Sequence, residues 1–85
     1  MDYTGITKME LKQAVSVRIT DLLKERDMTQ YQLSKTGGIP RSTVNVAILA
    51  NRKSIKLDTL YEIVSTLGLT LKEFFDDPVF DDITD

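Results

Sequence analysis

The 85-residue chain contains no cysteine and no histidine. Without cysteine there is neither a disulfide framework nor a thiolate metal site. Without histidine the commonest general base and the commonest transition-metal ligand are both missing. The acidic pairs Asp76-Asp77 and Asp81-Asp82 lack the spacing and the glycine of a calcium loop, so no metal ligands are assigned. No nucleophile–base pair and no cofactor-binding loop is visible, so no catalytic residue and no cofactor is expected, and the chain does not read as an enzyme. No apolar run approaches the ~20 residues of a membrane span. The opening "MDYTGITKMELKQ" lacks the apolar core of a signal peptide. The expected compartment is the cytoplasm. A chain this short buries only roughly 60–65% of its unfolded surface, which leaves little room for a catalytic pocket. It reads as one domain, 1–85, with a core over about 8–75 and an acidic C-terminal tail, 76–85.

What is present is an uneven distribution of charge. The formal net charge is −2, which at first sight argues against nucleic acid. Residues 1–23 balance three bases with three acids. Residues 24–57 carry Lys24, Arg26, Lys35, Arg41, Arg52, Lys53 and Lys56 against only Glu25 and Asp27. Residues 58–85 set Lys72 against eight acids. A neutral head, a basic middle and an acidic end fit a chain whose middle meets an anion.

The hydrophobic spacing is helical throughout, and the expected fold class is all-α, a compact bundle of five short helices. Thr7 and Glu10 have capping-box spacing and predict a first helix over about 8–26, with Val15, Ile19, Leu22 and Leu23 as its apolar stripe. Thr29 is the expected N-cap of a short second helix, about 30–36, with Leu33 facing inward. Gly37-Gly38 ends it. Pro40 suits the first turn of a third helix reaching Leu49 or Ala50, with Val44 and part of Ala47-Ile48 buried. "NRKSIK", 51–56, is a polar loop. A fourth helix, about 58–67, buries Leu60, Ile63, Val64 and Leu67 and stops at Gly68. Thr70 and Glu73 form another capping box for a short fifth helix through Phe75, which Pro78 bars from simple continuation.

The stretch "TQYQLSKTGGIPRSTV", 29–44, resembles the helix-turn-helix of the phage Cro and lambda-repressor type, the Xre family. The family's spacing is met by Thr29-Gln30, Ser34, Gly38 and Val44. A small residue brings the two helices close, a glycine makes the turn, and an aliphatic residue locks the second helix onto the core. "VSVRITDLLKERDMTQ", with Arg18-Ile19 and Leu22, resembles the family's first helix. "KLDTLYEIVSTLGLTLKEFF" resembles its closing segment. The resemblance covers roughly residues 14–75. The chain departs from the pattern at three places. Gly37 stands where an apolar side chain is usual, which implies a looser turn. "LANRKSIK" has no Asn-Gly, and Val46 takes a face position that is often polar or basic.

The resemblance implies a transcription regulator that binds double-stranded DNA, with the third helix in the major groove. By position, Gln30, Arg41, Ser42, Thr43 and Asn45 fall on the DNA side. Arg41 suits guanine O6 and N7 or a phosphate, and Asn45 suits adenine N6 and N7. Gln30 suits a phosphate or an adjacent base. Arg52, Lys53 and Lys56 are expected as backbone clamps. Gln30, Ser42 and Thr43 are also open to plain capping roles, and Val46 to core packing or a thymine-methyl contact. With no effector domain, the simplest action is repression by occupying an operator as a homodimer. The other reading on the same fold is a protein-interaction module, such as an antitoxin. The apolar residues of "FFDDPVFDDITD" suggest a dimer contact through Phe74, Phe75, Val79 and Phe80. Two other roles are open to this segment: Phe80 folding back on the fifth helix, or the acids covering the basic face of their own chain.

Overall fold

The computed structural model of the chain describes residues 9–49 and 55–84. These form α1 (Leu11–Glu25), α2 (Gln30–Gly37), α3 (Arg41–Leu49), α4 (Leu57–Thr66), α5 (Leu71–Phe75) and a 3-10 helix at Pro78–Phe80. The fold is all-α; the strand-like pairing among the described residues is one isolated bridge between Met9 and Ile83. α1 packs against α3 and the 3-10 helix, and α2 packs against α3 and α4.

The first helix starts later than its spacing predicts. The Met9 amide donates to the Asp82 carbonyl (3.4 Å) and the Met9 carbonyl accepts from the Thr84 amide (3.1 Å), so the chain is extended there. Glu10 is the N-cap, and its amide donates to Gln13 Oε1 at 2.9 Å. Thr7, the expected cap, lies outside the described residues. Arg26 is the C-cap of α1, and Asp27 takes a left-handed φ of 52°.

The predicted N-cap of α2 and the predicted capping box of α5 are both formed, and Gln32 completes a box at α2 as well. Thr29 Oγ1 accepts from the Gln32 amide (3.1 Å) while Gln32 Oε1 accepts from the Thr29 amide (2.8 Å). Thr70 and Glu73 repeat the arrangement at 3.1 and 2.9 Å. α4 is one residue earlier than expected and stops at Gly68, whose φ is 82°. The core gathers Val15, Ile19, Leu22 and Leu23 of α1, Leu33 of α2, Ile39 of the turn, Val44 and Ala47 of α3, Leu60, Ile63, Val64 and Leu67 of α4 and its end, and Phe74 of α5.

The closing segment is not a free tail. Asp77 Oδ1 accepts from the Val79 amide (2.9 Å) and starts the 3-10 helix. This turns Phe80 back onto α5, with ring centroids 5.8 Å from Phe74 and 4.9 Å from Phe75. Arg18 of α1 holds the segment from the other side. Its guanidinium donates to the carbonyls of Phe74 (2.8 Å) and Glu73 (3.0 Å) and pairs with Asp77 at 3.0 Å. Polar and aromatic contacts thus tie the segment that follows residue 75 to α1 and α5. Phe74 is fully buried within its own chain and has no surface left for a second one. Among the described residues, the 3-10 helix that begins at Asp77 docks on α1.

Candidate nucleic-acid interface

Three contacts fix α3 in place. The buried Ser34 hydroxyl of α2 donates to the Ile39 carbonyl, the Ile39 amide donates back to the Ser34 carbonyl (3.0 Å), and the Ser16 hydroxyl of α1 donates to the Ile48 carbonyl. Gly38 makes the turn itself, with a left-handed φ of 64° and its amide on the Ser34 carbonyl. That conformation is strained for any residue with a Cβ. Gly37 does not loosen the turn. A Cβ there would lie 2.5 Å from Thr66 Oγ1, so the missing side chain is what lets α2 seat on α4. Ile39 supplies the apolar plug instead and is buried.

Pro40 sits one residue ahead of α3 rather than in its first turn. Its carbonyl accepts from the amides of Thr43 (3.0 Å) and Val44 (3.1 Å), and the helix begins at Arg41. Val44 and Ala47 point into the core. The opposite side is open: Arg41, Ser42 and Asn45 are exposed, and Thr43 is half-buried. Val46 is 42% exposed and Leu49 64%, so Val46 does not pack in the core. Gln30 is exposed at the first position of α2. From Met28 to Leu57 the sequence contains no Asp or Glu at all. The helix pair is thus a rigid corner that presents an acid-free surface of hydrogen-bonding side chains.

A helix-turn-helix family model, of the Xre/lambda-repressor type, matches residues 19–74. The chain belongs to that family. No curated protein and no solved structure matches it. The matched span runs from the middle of α1 to Phe74, and within it α2, Gly38 and α3 form the helix-turn-helix. The family is a DNA-binding one and not an enzyme family, so the chain is a DNA-binding transcription regulator. No described helix is long and apolar enough to cross a membrane. Among the described residues, no group of acidic side chains is arranged to hold a metal ion.

Seen as a helix-turn-helix protein, the chain brings Arg41, Ser42 and Asn45 together on one exposed face of α3, and Gln30 is exposed at the start of α2. Lys56 is exposed immediately before α4, while Arg52 and Lys53 lie outside the described residues. Sequence reasoning missed Tyr31. Its ring is 52% exposed, with Arg41 Cζ 5.4 Å and Lys35 Nζ 5.9 Å from the centroid. The signal was present: Lys35 follows Tyr31 by four residues, one helical turn. Arg18 and Arg26 were readable as basic residues but not as braces. Arg26 Nε donates to the Leu67 carbonyl at 3.1 Å, so one cation of the basic middle is committed to the end of α4.

Proposed function

We propose that the protein is a sequence-specific repressor that acts by occupying an operator as a homodimer. The observation that carries this reading is the exposed row Arg41, Ser42 and Asn45 on a helix whose other side is locked by Val44 and Ala47, within a segment free of acids. Arg41 donates to guanine O6 and N7, and Asn45 pairs with adenine N6 and N7. Gln30 and Ser42 reach phosphate or the neighbouring base, and the half-buried Thr43 takes a marginal part. Arg52, Lys53 and Lys56 hold the backbone without reading sequence. Two such heads related by a two-fold axis read half-sites about 34 Å apart, one turn of DNA.

The burial of Phe74, and the packing of the half-buried Phe80 on α5, move the proposed dimer contact away from these two rings. Phe75 remains 38% exposed and lines a groove of about 380 Å³ together with Leu57, which is 69% exposed. These two side chains, rather than Phe74 and Phe80, meet their copies across the dyad, with Val79 at the margin. Selection of bound duplexes from a random pool tests the whole reading. The expected result is a pseudopalindrome, and Leu57→Glu should convert the dimer to a folded monomer in sedimentation.

The exposed Val46 and Leu49 favour one other reading, a module on the same fold whose main ligand is another protein, as in an antitoxin. A mobility shift at low salt separates the two. A DNA reader binds even random duplexes at about 10⁻⁴–10⁻⁶ M at physiological salt and more tightly below it. No shift at tens of micromolar protein would favour the protein ligand.

A further inference from the structure

Arg41 stands at a place that its own helix disfavours. It is the first residue of α3, where the helix macrodipole opposes a positive charge. Lys35 is the one cation of α2, and the segment from Met28 to Leu57 contains no acid. The partner that both share is the ring of Tyr31, with Arg41 Cζ at 5.4 Å and Lys35 Nζ at 5.9 Å from its centroid. Both distances are within the reach of a cation–π contact, about 6 Å. Tyr31 thus ties a cation of its own helix and one from across the turn to a single point.

We propose that Tyr31 is a specificity-determining positioning residue: its ring holds the Arg41 guanidinium in the direction from which it reads a base edge. The inference rests on the readout by Arg41 proposed above. An arginine free in solvent samples many rotamers and must give them up on binding. One already held over a ring has surrendered part of that freedom in the unbound protein, so less is lost when DNA arrives. A guanidinium held over the ring also has fewer directions in which its fork can point, and bidentate bonding to guanine depends on that direction. Lys35, with its Nζ 5.9 Å from the ring centroid, adds positive charge beside the same spot and favours a phosphate next to the base being read. The ring itself makes no base contact.

The test uses the full chain and the duplex it selects from a random pool, with single base-pair variants of that duplex, read by fluorescence anisotropy. Arg41→Ala first identifies the base pair whose preference it flattens. Tyr31→Leu should weaken the selected duplex by about 2- to 30-fold, the span of a cation–π contact from exposed to desolvated. It should flatten the preference at that same base pair and leave unrelated duplexes nearly unchanged. Tyr31→Gln, another good helix former, should do the same, and Tyr31→Phe, which keeps the ring, should stay within about twofold of the parent. In the Arg41→Ala background Tyr31→Leu should change the preference no further, since coupled residues do not add. If Arg41→Ala flattens a base pair and neither Tyr31→Leu nor Tyr31→Gln does, the positioning role is overturned while the readout stands. Equal weakening on all duplexes would overturn it too, because the ring would then serve only general affinity. If Arg41→Ala flattens no preference, the readout itself falls, and the role of Tyr31 with it.

Discussion

Arg18 shows how much one side chain can carry in a domain this small. Its side chain is 12% exposed, donates to two carbonyls at the end of α5 and pairs with Asp77, and its guanidinium carbon lies 5.9 Å from the Phe74 ring centroid. Charge-assisted hydrogen bonds contribute about 1.5–3 kcal/mol each when lost to an unsatisfied partner, and these are not additive. Arg18→Ala should therefore lower stability by about 2–4 kcal/mol. Arg18→Lys should recover only part, because an ammonium cannot span three acceptors with a planar fork. Denaturant midpoints with an unchanged slope would measure both. The two faces of α3 give a second contrast at this scale. Val44→Ala removes two buried methyl groups and should cost about 1–3 kcal/mol of folding stability. Asn45→Ala, on the exposed face, should stay within roughly 0.5 kcal/mol yet cost about 1–3 kcal/mol of binding to the selected duplex. Equal folding losses would reverse the assignment of the faces.

At the scale of the element, the junction of α2 with α4 depends on an absent side chain. Alanine normally improves a helix relative to glycine by up to about 1 kcal/mol. At Gly37 it would instead meet Thr66 Oγ1, which is already engaged with the Glu62 carbonyl at 2.8 Å. Gly37→Ala should therefore destabilise the protein by about 1 kcal/mol, the overpacking loss exceeding the propensity gain. Adding Thr66→Ala should return most of it, which a double-mutant cycle in thermal melts would show. Gly38 is constrained differently. Its surroundings are open, and only its positive φ demands glycine.

Across the whole molecule, the ends of the described chain are held together. The Met9–Ile83 bridge, the Phe80 contacts and the Arg18–Asp77 pair join the entrance of α1 to the exit of α5. Truncation after Asp77 removes the bridge and the Phe80 ring together. It should cost about 2–4 kcal/mol of stability, by analogy with truncating a partly buried aromatic residue. The proposed dimer contact at Leu57 and Phe75 should survive if the truncated chain is held below its lowered melting temperature, as sedimentation would check. Loss of the dimer with stability unchanged would return the contact to the closing segment.

What the sequence determined by itself was local. The caps at Thr29 and Thr70, the stops at Gly38 and Gly68, and the inward stripe of Leu33, Val44, Leu60, Ile63 and Val64 all follow from interactions within three or four residues or from helical periodicity. The outward row Arg41, Ser42 and Asn45 follows from the same periodicity, since burying Val44 and Ala47 leaves that side open. Only the tertiary structure decided what depends on residues far apart in the chain. The extended Met9, which delays α1, needs Ile83. The brace at Arg18 needs Asp77, and the tight seat of Gly37 needs Thr66. Tyr31 lies in between. Its neighbour Lys35 is fixed by one helical turn, but Arg41 reaches the ring only because Gly38 reverses the chain and Ile39 and Val44 clamp α3 at one angle to α2. A one-dimensional pattern states which face a side chain takes; it does not state which other face that one will meet.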